Sequence, residues 1–249
     1  MASRNSSPVV DLNSVRAVCE RCSIQDLCLP YGLEKQDLER LDSIIERKRP
    51  LKAGEFAYRH GEAFRTLFAV RSGVIKTYIL EEDGDEHITG FHFPGELVGL
   101  DAISEGAHSC SARALDTTSL CEIPFDDLDD LAGKLPGLRK QLFKLMSHEI
   151  HRDDQERRSQ SQSAADPRLA SFLVDVSQRF AKLGYSPYDF RLKISNQDLA
   201  SYLGLAPETV SRLFRRFRDQ GVVTVKSKQV QIHDLDGLRR IGHLEDDEA

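Results

Sequence analysis

Apolar side chains recur along this chain with two periods, and the changes between them divide it. Leu38, Leu41, Ile44 and Ile45 stand three and four residues apart, which predicts a short helix. Over residues 50–123 the texture changes. Glycines at 54, 61, 73, 84, 90, 95, 99 and 106 separate short β-rich runs such as 67–70 and 74–79, and many short strands with close turn signals predict a sandwich, barrel or roll. The helical period returns after Phe125. Leu128, Leu131, Leu135, Leu138, Leu142, Leu145, Met146 and Ile150 form a stripe interrupted around Gly133 and Pro136-Gly137. Residues 151–163 contain no apolar side chain, so they form either a solvated helix or a flexible linker.

A second unit opens near Asp166-Pro167. Leu169, Phe172, Leu173, Val176 and Phe180 mark an amphipathic helix, and Leu192 and Ile194 bracket a short strand. Ser195 followed by Asp198 is a capping-box-like start for a helix from Asn196 to about Leu203. Gly204 supplies the positive φ that ends it, and Pro207 suits the first turn of the next helix. In residues 207–218, Val210, Leu213, Phe214 and Phe217 share a face toward the small Ala200, and Gly221 leads into an alternating hairpin over 222–232. This is the pattern of a winged helix-turn-helix, whose second helix enters the major groove by its N-terminal part. Arg212 suits bidentate pairing with guanine, Glu208 suits a cytosine amino group, and Ser211 adds a short polar contact. Arg215, Arg216, Arg218, Lys226 and Lys228 suit phosphates. A helical hairpin with a solvated arginine face is the bland alternative, and the joint fit of Ala200, Gly204, Val210 and Leu213 argues against it.

Charge supports this placement. The net charge of −6 excludes a wholly basic nucleic-acid coat, yet residues 205–230 hold six basic side chains against two acidic ones. The tail after His243 is acidic. No apolar run approaches the ~20 residues of a membrane helix, so a soluble, cytoplasmic protein without a membrane partner is expected. There is no phosphate-binding P-loop, nucleophile elbow or HExxH, and His148 and His151 read as exposed helix residues, so no enzyme is expected.

Five cysteines in a cytosolic chain point to metal chemistry or packing, not disulfides. Cys19, Cys22 and Cys28 have the spacing C-x2-C-x5-C, and either Cys110 or Cys121 can supply a fourth thiolate. Zinc and an iron–sulfur cluster are both chemically allowed.

The order of parts resembles the Crp/Fnr family, specifically its Fnr/Anr oxygen-sensing branch. Nearly the whole chain carries the resemblance: CxxCSxxxLC at 19–28, LDxIIERKRPLKxGE at 41–55, FAVRSGVIK at 68–76, ITGFHFPGELVGLDAI at 88–103, CEIPF at 121–125 and YLGLxxETVSRLF at 202–214. It implies an α+β fold. Residues 1–30 would be a cysteine-rich cluster-binding segment, 31–132 a cyclic-nucleotide-binding-like β-roll, 133–163 a dimerisation helix and linker, and 164–249 a winged helix-turn-helix domain. It also implies a [4Fe–4S] cluster on Cys19, Cys22, Cys28 and Cys121, because Cys121 opens the CEIPF segment, while Cys110 falls outside the pattern. Base reading falls on Glu208, Ser211 and Arg212, at TTGAT-type half-sites in an inverted repeat. The implied regulator is an anaerobic activator or repressor. The cluster favours the DNA-binding homodimer, and oxygen degrades it toward [2Fe–2S] and apoprotein.

The acidic loop with Glu81, Gly84 and Asp85 corresponds to a region that touches RNA polymerase, a solvated hairpin turn being the alternative. Related cAMP receptors grip the cyclic phosphate with an Arg-Ser pair. Here the stretch reads His108-Ser109-Cys110-Ser111-Ala112, so no cyclic nucleotide is expected. The chain departs from the family past Ile150, where Glu156, Arg157, Arg158, Ser159 and Gln160 replace an apolar seam. A seam of Leu142, Met146 and Ile150, with Asp153 in the place of the family's seam carboxylate and Arg157 one turn on, predicts a weakened dimer and a monomer without cluster. A zinc-stabilised or other-ligand-sensing Crp-like regulator is the competing reading.

Overall fold

The computed structural model describes residues 19–160 and 164–244, and of residues 156 and 158–160 the backbone alone. The polar opening segment, positions 161–163 of the polar connection and the acidic tail from 245 lie outside the described residues.

Two short 3-10 turns, Cys19–Arg21 and Gln25–Leu27, shape the cysteine loop and lead into helix α1 (Lys35–Ile44). Seven strands follow: β1 (Phe56–Tyr58), β2 (Thr66–Ser72), β3 (Ile75–Leu80), β4 (Glu86–His92), β5 (Leu97–Val98), β6 (Ser111–Ala114) and β7 (Ser119–Pro124). They form two antiparallel sheets, ordered β1-β6-β3-β4 and β5-β2-β7. Strand β2 is buried on both faces, which explains its unbroken apolar run. Phe68 and Val70 join the roll interior with Ile75, Val98 and Ala112. Leu67 and Ala69, on the opposite face of the pleat, join the second core with Cys28, Leu29, Leu41, Leu128 and Leu138. That second core cements the cysteine loop, α1, helix α2 (Phe125–Lys134) and the start of helix α3 (Pro136–Gln160) onto the roll.

The helix continues well past the apolar stripe, so the choice left open for residues 151–163 resolves in favour of helix as far as Gln160. Arg152 anchors this polar stretch by donating to Glu96 of the roll at 2.9 Å and pairing with Glu149 one turn earlier.

The C-terminal unit comprises α4 (Ala165–Lys182), β8 (Asp189–Arg191), α5 (Asn196–Leu203), α6 (Pro207–Asp219), β9 (Val223–Lys226), β10 (Gln229–Ile232) and α7 (Leu235–Ile241). The strand expected between Leu192 and Ile194 lies earlier, at 189–191, because β10 pairs there through Gln229↔Arg191 and Gln231↔Asp189. Leu192 and Ile194 are buried beyond its end. Both units share apolar packing. Phe91 of β4 lies 5.1 Å from the Tyr202 ring and 6.1 Å from Phe172. Ser201 of α5 clasps the free edge of β4, donating to the Glu86 carbonyl at 2.7 Å and accepting from the Ile88 amide at 3.0 Å. Among the described residues, no helix is long and apolar enough to cross a membrane.

Candidate metal centre and nucleic-acid interface

The cysteine loop turns on local backbone bonds: the Cys22 amide donates to the Cys19 carbonyl, and the Tyr31 amide to the Cys28 carbonyl. Asp42 of α1 accepts the Cys19 amide at 2.9 Å, fixing the start of the loop. Gln141 of α3, itself buried, donates to the Cys28 carbonyl at 3.1 Å and fixes its end. Cys121 arrives from β7, directly opposite Ala69 of β2, on the sheet face that the loop covers. Cys19, Cys22, Cys28 and Cys121 therefore line one pocket, part of it open to solvent. Most of the remaining wall is aliphatic, with Arg47 and Arg71 as its cations.

Burial pushes the thiols of Cys19 and Cys28 up to about 12 and raises that of Cys121, so metal-free they are protonated. Arg47 opposes this at Cys19 and Cys121, and Arg71 opposes it at Cys121. Arg47 also donates to the Cys19 sulfur at 3.4 Å while paired with Asp42. Four soft donors with two guanidinium groups suit an anionic metal–thiolate centre, whose ligands must be thiolates and whose assembly releases protons. Among the described residues, no three His, Cys, Asp or Glu groups are set so as to hold one metal ion. Cys110 is elsewhere, in the roll interior, 3.8 Å from the Tyr58 hydroxyl and 3.7 Å from Asp101.

Around Cys110 the roll's anion-binding potential is already used. Ser109 donates from its amide at 2.8 Å and its hydroxyl at 2.9 Å to the Asp101 carboxylate. His108 stacks on Tyr58 with ring centroids 3.6 Å apart. An internal carboxylate thus occupies both donors of Ser109, one of the two serines of that stretch.

In the C-terminal unit, the Ser195 hydroxyl accepts the Asp198 amide at 3.0 Å, and Gly204 caps α5 with φ +62°. Val210, Leu213 and Phe217 are buried against α5, and Phe214 is half-buried. Glu208, Ser211, Arg212, Arg215, Arg216 and Arg218 are exposed on the other side of α6. Ser211 accepts from Asn196 at 3.3 Å, and Arg212 donates to Thr209 at 3.0 Å, which holds both on the open face. Arg216 is paired with Asp166 and Arg218 with Asp219, so each exchanges a protein partner if it meets a phosphate. Glu208, Arg215 and Lys226 make no side-chain hydrogen bond or ion pair among the described residues.

The wing turns through Ser227 and Lys228, with φ +48° and +70°. Left-handed backbone at both central positions is the geometry of the tight hairpin turns that favour Asn-Gly, and each non-glycine residue there costs ~1–2 kcal/mol. Lys228→Gly is therefore expected to stabilise the domain by about 1 kcal/mol and to lower the salt dependence of DNA binding by about 0.9 in log–log slope per wing. Denaturant melts and a salt titration of DNA affinity check the two halves.

Of the other expected positions, Leu142, Met146 and Asp153 are half-buried on α3, while Ile150, Arg157 and the unforeseen Phe143 are exposed. Glu81, Gly84 and Asp85 form the exposed β3–β4 hairpin tip, closed by the Glu81 amide on the Asp85 carbonyl at 2.9 Å.

A roll of this build joined to a winged helix-turn-helix defines a DNA-binding regulator. The cyclic nucleotide-binding domain family matches residues 48–134, and the Crp-like helix-turn-helix domain family matches 167–241. The chain is 47% identical over 226 residues to the fumarate and nitrate reduction regulatory protein of Escherichia coli K12, covering 90% of both chains. The protein of that name from Salmonella typhimurium LT2 is equally similar, at 47% over 90% of each chain. Among solved structures, FixK2 from Bradyrhizobium japonicum superposes with a TM-score of 0.72 at 25% identity, over 80% of this chain and 97% of that one. The chain belongs to the Crp/Fnr family of transcription regulators.

Proposed function

We propose that the protein is an oxygen-responsive regulator that binds promoter DNA as a homodimer while Cys19, Cys22, Cys28 and Cys121 hold a [4Fe–4S] cluster. The observation that carries this reading is the convergence of a loop and a distant strand to put these four thiols around one pocket beside Arg47 and Arg71. A single zinc ion would need thiolates gathered ~2.3 Å from one point, whereas a cluster offers each thiolate its own iron, which suits thiols spread around a pocket. The cluster, when bound, supplies iron–sulfur bonds that oxygen can break. The chain's part is to limit water's access with aliphatic walls, balance the thiolate charge through Arg47 and Arg71, and pass the loop's position to α3 through Gln141.

At the other end, Glu208, Ser211 and Arg212 read a TTGAT-type half-site, and Arg215, Arg216, Arg218, Lys226 and Lys228 meet phosphates. The dimer seam runs along Leu142, Met146 and Ile150, with Asp153 opposing association of the cluster-free protein. The hairpin tip at Glu81, Gly84 and Asp85 faces RNA polymerase. A cyclic nucleotide is not the effector, because its phosphate would meet the Asp101 carboxylate that Ser109 already serves.

The test is binding of anaerobically purified protein to a TTGAT-type palindrome before and after air exposure. A fall in affinity of at least ~100-fold is expected, since specific sites are typically 10³–10⁷ tighter than non-specific DNA. Equal binding in both states defeats the sensing mechanism, and colourless protein holding one zinc favours the structural-metal reading.

A further inference from the structure

The turn between β4 and β5 is held rigidly to the roll. Gly95 donates to the Val70 carbonyl at 2.8 Å, the Val70 amide donates to the Glu96 carbonyl at 3.0 Å, and the Phe93 amide donates to the Glu96 carboxylate at 3.1 Å. Three other parts of the molecule meet this turn. From the cysteine loop, Leu27 packs so closely on Gly95 that a Cβ there would lie 2.9 Å from its own Cβ, at a φ of +95°. From α3, Arg152 donates to Glu96 at 2.9 Å. From α4, Arg179 stands 3.4 Å from the same carboxylate, donates to the Phe91 carbonyl at 2.9 Å and pairs with Asp175 at 2.6 Å. The side chains of Glu96, Arg152 and Arg179 are 20%, 15% and 10% exposed, so water screens these contacts poorly.

From this meeting point we infer that Glu96 is a positioning residue for DNA binding: within a single subunit, its carboxylate ties the seat of α4 to the turn on which the cysteine loop rests. The inference rests on the proposed cluster-dependent DNA binding and adds a second route to it. Residues 27 and 28 touch two separate levers. Cys28, through Gln141, reaches the helix of the dimer seam, while Leu27, through Gly95 and Glu96, reaches Arg179 on the first helix of the DNA-binding unit. The second lever needs no partner subunit. A loop that shifts when its cysteines lose their ligand unseats the turn, and α4 then carries α6 away from the orientation in which two reading heads fit two half-sites together.

Glu96→Gln keeps the shape of the side chain and one acceptor oxygen, and removes its charge. Cluster-loaded full-length E96Q is compared with the parent protein for iron content, visible absorbance, dimer constant by sedimentation, and affinity for the TTGAT-type palindrome. The expected result is DNA affinity at least ~10-fold weaker at unchanged iron content and dimer constant. Arg179→Met should also weaken DNA binding, and the double variant should be no weaker than the weaker of the two single variants, because the Glu96–Arg179 linkage is lost in each. Full additivity, unchanged DNA affinity, or a loss that tracks a weaker dimer or lost iron overturns the inference. If the parent protein itself binds DNA equally with and without cluster, the fault lies with the sensing reading and not with Glu96.

Discussion

Cys121→Ala is expected to yield colourless protein after anaerobic purification and to lose site-specific DNA binding by at least ~100-fold, falling to the non-specific level. Cys110→Ala is expected to stay brown and to bind. Both cysteines are remote from the loop in sequence, both are buried or nearly so, and the two thiols differ by their neighbours. Cys121 faces Arg47, Arg71 and the loop cysteines. Cys110 faces Tyr58 and Asp101, a carboxylate that would repel a thiolate centre, and burial there pushes its thiol up to about 12. Iron and acid-labile sulfide assays with fluorescence anisotropy on the palindrome decide it. Retention of four irons in C121A would move the fourth ligand elsewhere.

The second large effect concerns stability. Lys76 of β3 is only 4% exposed and spans two carboxylates: Glu86 across the hairpin at 2.7 Å, and Asp198 in the first turn of α5. Hydrogen bonds from Lys76 and Ser195 hold the Asp198 carboxyl below its usual range although burial acts the other way. Lys76→Met leaves both carboxylates without their shared cation, and breaking a buried pair in this way costs ~3–5 kcal/mol. A fall of roughly 10 °C in Tm is expected at ~2–4 °C per kcal/mol. Adding Glu86→Gln should recover part of the loss by removing one stranded charge, although Arg113 also pairs with Glu86 at 2.6 Å and limits the recovery. Calorimetry of the single and double variants measures both effects. A K76M protein melting within 2 °C of the parent would show that the triad is no more than a solvated surface pair.

Much of this architecture was legible in the chain because local chemistry decides it. Ser195, Gly204 and Pro207 punctuate the helix-turn-helix through capping and φ preferences that need no tertiary information. The alternation in 222–232 likewise announces the wing. Convergence of the cysteines was legible only in part. The loop spacing marks three of them, but which distant thiol joins them depends on the register that sets Cys121 opposite Ala69, and period-2 patterning cannot specify a pairing partner. The placement of β8 was missed for a related reason: Phe190, Leu192 and Ile194 are buried alike, and only the start of β10 decides which of them lies in the ladder. Lys76, Glu96 and Arg179 were invisible as a set. Each looks like an ordinary surface charge in sequence, and their burial arises from the packing of one unit on the other.

Helix α3 runs ten residues beyond Ile150, about 15 Å at 1.5 Å per residue. Association and reach are thereby separated along one rod. In the proposed dimer, the apolar part up to Ile150 sets how often two subunits meet. The polar part acts as a strut whose length determines where the DNA-binding unit stands once they have met. Substitutions at Leu142, Met146 or Ile150 would then retune the concentration at which pairing occurs while leaving the span between half-sites untouched.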